Sequence, residues 1–93
     1  MPIKSFKCKD TQALFDGKRV KRWVNIERPA LRKLTQLDWS AMLDDLKIPP
    51  GNNLEALNDD RKGQHSIRVN AQLRVCFIWT NDGPVDVEIV DYH

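Results

Sequence analysis

From Ile67 to Ile89 apolar side chains fall on every second position: Ile67 and Val69, then Leu73, Val75, Phe77 and Trp79, then Val85, Val87 and Ile89. A period of two is the strand period, because successive side chains of an extended chain point to opposite faces. Asn81, Asp82, Gly83 and Pro84 separate the last two runs and read as a turn. A chain patterned this way is predicted to form an antiparallel meander with one apolar face, and something must cover that face.

The cover comes from the N-terminal half. Ile26, Ala30, Leu34 and Leu37 recur at helical spacing with Arg28, Arg32 and Lys33 off the stripe, which predicts a helix over roughly residues 25 to 38. Asn25 is its expected cap, and Pro29 falls near its first turn. A shorter helix is predicted from Asp10 or Thr11 to a stop at Gly17, after a short opening strand at Ile3, Ser5 and Phe6. Residues 39 to 53 carry Asp44, Asp45, Pro49, Pro50, Gly51 and two asparagines, and read as a loop pinned to the core by Trp39, Met42, Leu43 and Leu46. The expected architecture is an α+β fold in one domain, residues 1–93: two N-terminal helices packed on a small antiparallel β-sheet.

With 41% hydrophobic and 30% charged residues the composition is that of a globular chain. No apolar run approaches the roughly 20 residues of a spanning helix and no leader pattern opens the chain, so a cytoplasmic protein with no membrane role is expected. Cys8 and Cys76 lie far apart without a Cys/His cluster, which points to reduced thiols and to no metal or cofactor. The net charge of +2 hides an asymmetry. Residues 1 to 35 hold ten Lys/Arg against three acids, whereas residues 36 to 60 hold Lys47 against six acids. A basic half can meet nucleic-acid phosphate or an acidic partner.

If Ile67, Val69, Leu73, Val75 and Phe77 share the buried face, then Ser66, Arg68, Asn70, Arg74 and Cys76 point the other way. The tightest hairpin keeping apolar opposite apolar centres on Ala71 and sets Arg68 directly across from Arg74. Like charges directly opposite destabilise a sheet, so an anion, or an acid such as Glu55, Glu88 or Asp91, is expected between them. On the last strand the same alternation brings Asp86, Glu88, Val90 and Tyr92 to the arginine face. The chain then closes on His93.

These residue types suit one chemistry. Cleavage of a phosphodiester by its own ribose 2′-OH needs a base, an acid for the leaving 5′-oxygen, and cations for charge growing on phosphorus. Arginine matches phosphate oxygens with its planar fork, and histidine, titrating near about 6.5, serves either proton role. Tyrosine becomes a useful base where neighbouring cations lower its pKa, and Arg68 and Arg74 are such cations. Trp23 and Trp79 fall in or beside the apolar patterns and read as core, as does His65 on the inward parity of Ile67; Trp39 is open. Gly63 is expected to make a tight turn before its strand.

The stretches LEALNDDRKGQHSIRVNAQLRVCFIW and GPVDVEIVDYH, with the opening IKSFKCKDTQALF, resemble the HigB-type toxins of bacterial toxin–antitoxin pairs, within the RelE/ParE superfamily. The resemblance covers essentially the whole chain. It implies a RelE-like microbial ribonuclease fold and a metal-independent, ribosome-dependent endoribonuclease that cuts translated mRNA on the 70S ribosome. It further implies neutralisation by a HigA-type helix-turn-helix antitoxin, through which alone the pair meets DNA. By the same resemblance, Asp91, Tyr92 and His93 fall on the catalytic C-terminal triplet and Arg74 on the strand arginine; Arg61 and Arg68 also match family positions. The segment from Lys18 to Lys33, with Lys21, Arg22 and Arg32, would then meet ribosomal RNA.

Glu55 and Asn58 depart from the histidine and lysine of some family members, at positions expected to line the RNA. Glu55 can take over a proton transfer, whereas Asn58 supplies no cation, so slower or differently selective cleavage is expected. The rival reading is an RNA-, ribosome- or partner-binding module of the same fold with weak or no turnover.

Overall fold

In the computed structural model, which describes residues 1–91, the helical stripe and the strand alternation meet as two layers. Helix α1 (Lys9–Phe15) and helix α2 (Glu27–Trp39) lie on one face of a sheet of four antiparallel strands in the order β1-β2-β3-β4. The strands are β1 (Glu55–Ala56), β2 (His65–Arg68), β3 (Leu73–Thr80) and β4 (Gly83–Asp91). The α+β meander expected from the sequence is therefore the fold. Ala30, Leu34 and Leu37 of α2 are fully buried against Ile67, Val75, Phe77 and Val87. Thr11 ties α1 to the sheet, its buried hydroxyl accepting the Ile89 N–H at 3.0 Å.

Several boundaries differ from expectation for local reasons. The opening segment makes a single parallel bridge, Phe6 to Val87, flanked by Lys4 N–H to Pro84 O at 2.8 Å and Val87 N–H to Ser5 O at 3.1 Å. It extends the β4 edge without becoming a strand. Asn25 caps no helix: it lies in a 3-10 turn, Lys21–Ile26, where buried Trp23 leaves helical geometry, and α2 begins only at Glu27. Pro29 still falls in the first turn, where its missing N–H costs nothing. Gly63 precedes β2 with φ +93°, the turn geometry a glycine tolerates.

Alternation fails once. Cys76 pairs with Glu88 but Ile78 pairs with Val85, so β4 carries one extra residue, accommodated at Asp86 with φ +53°. This β-bulge moves Val85 out of the face it was expected to share with Val87 and Ile89 and sets it opposite Ile78. The face expected to point outward is also less open than alternation implies. Ser66 and Cys76 are fully buried there, because the stretch after β1 folds over it, and Arg61 reaches Glu88 Oε1 at 2.8 Å. Burial pushes the Cys76 thiol pKa up, with Glu88 adding to the rise and Arg61, Arg74 and Lys7 opposing it. His65 packs its ring on Phe77 with centroids 6.3 Å apart, and its buried Nδ1 has no hydrogen-bond partner among the described residues.

The segment between α2 and β1 is the least regular part and is tightly held. It contains two 3-10 turns, Leu43–Lys47 and Pro50–Asn52. Leu46 is fully buried and Leu43 packs on the core, as expected, but Trp39 is 80% and Met42 60% exposed. Trp39 follows Leu37 by two residues, about 200° around the helix, which carries it away from the buried stripe. Asn52 is fully buried and clamps the segment to α2: its Nδ2 donates to Gln36 Oε1 at 2.9 Å and Leu46 O at 3.1 Å, while its Oδ1 accepts from Lys33 Nζ at 2.5 Å. Desolvation lowers the pKa of that lysine, with Arg32 contributing. Among the described residues no helix is long and apolar enough to cross a membrane, and no His/Cys/Asp/Glu group could hold a metal.

Asn52→Ala strips a donor from the buried Leu46 carbonyl, at about 1–3 kcal/mol for a buried group left unpaired, and releases the part-exposed Lys33 ammonium to solvent. Urea denaturation followed by far-UV circular dichroism should show the midpoint falling with the slope unchanged.

Candidate functional site

Hairpin register brings two guanidiniums together. Ile67 pairs with Val75 and Arg68 with Arg74, the register expected of the tightest hairpin that keeps apolar opposite apolar. The expected acid between them is not there. Glu88 holds Arg61, Asp91 Oδ2 accepts from Gln72 Nε2 at 3.2 Å, and Glu55 Oε1 accepts from Asn53 Nδ2 at 3.4 Å. Among the described residues, neither Arg68 nor Arg74 forms an ion pair.

The two arginines instead separate by depth. Arg74 lies down on the sheet and is only 8% exposed. Its Nε donates to Ser66 Oγ at 2.7 Å, and its Nη2 donates to Asn53 O at 2.5 Å and Ser66 O at 3.3 Å. Asn53 presents that carbonyl because it adopts the left-handed conformation, φ 48° and ψ 56°, which asparagine tolerates better than most residues. Arg68 stays exposed and folds its Nε back to Asn70 O at 3.0 Å. Among the described residues their hydrogen bonds go to neutral acceptors, which satisfy both side chains in part.

The result is an open cleft of about 330 Å³ walled by Asn53, Glu55, Arg68, Asn70, Gln72 and Arg74. Arg74 Nη1 makes no hydrogen bond among the described residues, so donors remain for an anion. Asn70 stiffens the rim, its Oδ1 accepting the Gln72 N–H at 2.8 Å and the Leu73 N–H at 2.7 Å. A second cleft of about 300 Å³ opens across the same turn and shares Asn70 and Gln72 with the first. Asp91 lines this neighbour, with Arg22, Trp23 and Asn25, and not the cleft of Arg74.

The remaining site expectations divide. Tyr92 and His93 lie outside the described residues. Glu55 walls the arginine cleft, whereas Asn58 sits exposed at the start of the turn Asp59–Arg61, and Arg61 is directed to Glu88 and Gln64. Neither of these two lines the cleft. Arg22 is engaged by Asp10 at 3.1 Å and stacks its guanidinium 4.2 Å over the Trp23 ring, while Lys21 and Arg32 are exposed. Trp23 is core, as expected, and Trp79 packs against the core. Alternation alone concealed the parts played by Ser66, Asn53 and Gln72, although two asparagines after Pro49, Pro50 and Gly51 marked a backbone suited to positive φ.

Comparison with known proteins identifies the family. The family of RelE-like toxins of type II toxin–antitoxin systems, HigB, matches residues 4–93. Toxin HigB-1 of Vibrio cholerae is 40% identical over 78 residues, 82% of this chain and 82% of that protein. An uncharacterized protein of Haemophilus influenzae is 36% identical over 58 residues, 62% of this chain and 57% of that one. With two strand arginines held side by side and the family match running through the whole meander, this chain belongs to the HigB-like family of RelE-like type II toxins.

Proposed function

We propose that this toxin is a ribosome-dependent endoribonuclease that cuts translated mRNA by attack of a ribose 2′-OH, without a metal, and that a HigA-type antitoxin neutralises it in the cytoplasm. One observation carries the reading: two cross-strand guanidiniums share a cleft and, among the described residues, neither forms an ion pair, although Glu55 stands in the same wall. A phosphodiester is the ligand that such a cleft fits, since its oxygens match the donors of the fork and its charge relieves the repulsion of the pair.

Arg74 binds the scissile phosphate and stabilises charge growing on it, and Arg68 supplies the second cation. Tyr92 and His93 exchange protons with the 2′-oxygen and the leaving 5′-oxygen. Asp91, held by Gln72 at the end of β4, orients that pair. Glu55, in the wall of the cleft, takes part in proton transfer; the rival reading is an RNA- or partner-binding module of the same fold whose turnover is weakened by Glu55 and Asn58. Arg61, paired with Glu88, shapes the approach of the RNA, and Asn58 takes a peripheral part from its exposed turn. Lys21, Arg22 and Arg32 contact ribosomal RNA, Arg22 at the expense of its pairing with Asp10.

Arg74→Ala removes a fixed donor to the transition state, a loss worth about 10²–10³ in rate for comparable donors. In a ribosome-programmed cleavage assay it should lose activity on that scale. Arg74→Lys should not restore it, since an ammonium cannot hold Ser66, Asn53 and phosphate together. Ser66→Ala, which keeps the guanidinium but frees its Nε, should fall between. Full cleavage by the alanine variant at position 74 would end the assignment. A chain truncated after Val90 should likewise lose growth arrest; persistent arrest would remove Asp91, Tyr92 and His93 from the mechanism.

A further inference from the structure

We propose that the exposed apolar patch at the C-terminal end of α2, built by Trp39, Met42 and Ile48, is the docking surface for the antitoxin, which meets it with an apolar side chain flanked by Lys or Arg. The inference takes from the family only that an antitoxin exists, and does not depend on the cleavage chemistry.

Trp39, Met42 and Ile48 are 80%, 60% and 71% exposed. They are three of the five large apolar residues standing in solvent among the described ones. Met1 is a fourth, and its ammonium donates to Ser40 O, beside Trp39. Trp39, Met42 and Ile48 fall within ten positions, at the end of α2 and in the braced segment that follows, and large apolar side chains exposed together in one segment suit a contact surface. Singly exposed residues would carry no such meaning.

The backbone that mounts them is braced. Asp45 Oδ2 accepts the N–H groups of Ala41 at 2.9 Å and Met42 at 3.0 Å. Gln36 Nε2 donates to Ile48 O at 2.5 Å, and Ser40 Oγ donates to Gln36 O at 2.7 Å. Leu46 and Asn52, both fully buried, anchor the segment from beneath. Anchors displayed on a fixed frame lose little entropy on binding, which favours their use as binding hot spots. Aromatic side chains such as Trp39 are enriched among such hot spots.

Charge identifies the partner. Around the patch stand Asp38, Asp44 and Asp45 against two cations, Lys47, which sits 3.4 Å from Asp44, and the Met1 ammonium on Ser40 O, so the balance remains acidic. Such a rim repels RNA phosphate and complements a basic protein segment. This also argues against Trp39 as a base-stacking platform. The arginine cleft opens on the sheet face turned away from the helices, whereas the patch stands at the C-terminal end of α2. A stable interface buries about 800 Å² per partner, so these side chains form its centre and not its whole extent.

The test uses the full chain and its cognate antitoxin. Trp39→Lys combined with Met42→Lys places charge on exposed positions, and circular dichroism checks that the fold survives. The dissociation constant should rise at least about 100-fold, the scale of losing one strong hot spot. Free toxin should cleave mRNA as before, so the variant should arrest growth that the antitoxin no longer rescues. Arg68→Glu, on the other face, should bind antitoxin as the parent does. A dissociation constant unchanged within threefold overturns the proposal. So does a free toxin that sediments as a dimer and becomes monomeric in the double variant, which would give the patch to a second copy. Should the parent fail to cleave while the double variant still loses the antitoxin, the nuclease reading falls and the docking surface stands.

Discussion

Arg74 is the residue on which the outer face depends. The apolar alternation of β2 and β3 together with a tight turn at Ala71 selects the register, and that register sets Arg74 against Arg68. Two guanidiniums directly opposite repel, and a guanidinium buried to 8% exposure without partners would be costlier still. Three neutral acceptor contacts, from Ser66 Oγ, Ser66 O and Asn53 O, make the burial tolerable without cancelling the charge. A carboxylate in their place would have stabilised the protein and spoiled the cleft for an anion. On the proposed function, stability and activity therefore pull apart at this position, as at many binding sites.

How much of this was legible in the sequence follows from which interactions are local. Strand period, helix stripe and hairpin register are properties of neighbouring residues, and β2, β3 and α2 emerged nearly as read. The bulge at Asp86 was not legible, because Val85, Val87 and Ile89 keep their alternation in the sequence while the extra residue breaks it in space. The depth of Arg74 was hidden for a different reason: its acceptor Asn53 lies 21 residues away in a segment without regular structure. Trp39 was legible in principle, since a residue two positions after Leu37 leaves the buried stripe.

The site divides in the same way. Arg68 and Arg74 follow from parity alone, and the structure brings them into one cleft. Asp91 was assigned through resemblance, and it lines the neighbouring cleft, joined to the first by Gln72 and Asn70. Arg61 and Asn58 occupy a turn whose conformation no periodicity encodes, and the 2.8 Å contact with Glu88 gives Arg61 a structural task on the outer face. Sequence reasoning thus identified the charges and missed the neutral groups that hold them.

The segment between α2 and β1 makes two demands compatible. Asn52 is clamped to Gln36, Leu46 and Lys33, and the next residue, Asn53, turns into the left-handed region to offer its carbonyl to Arg74. One peptide unit, about 3.8 Å between Cα atoms, separates the anchor of the loop from the anchor of the arginine. A loose loop would let that carbonyl drift, and a guanidinium held 1 Å out of place serves a phosphate poorly. The bracing that displays Met42 and Ile48 on one side therefore also fixes the cleft on the other. A partner seated on the apolar end meets a frame already in its final shape, and a ligand shifts a conformation only where it binds two states unequally. On the proposed docking, a partner that grips this braced segment acts on the cleft by what it covers or hinders sterically.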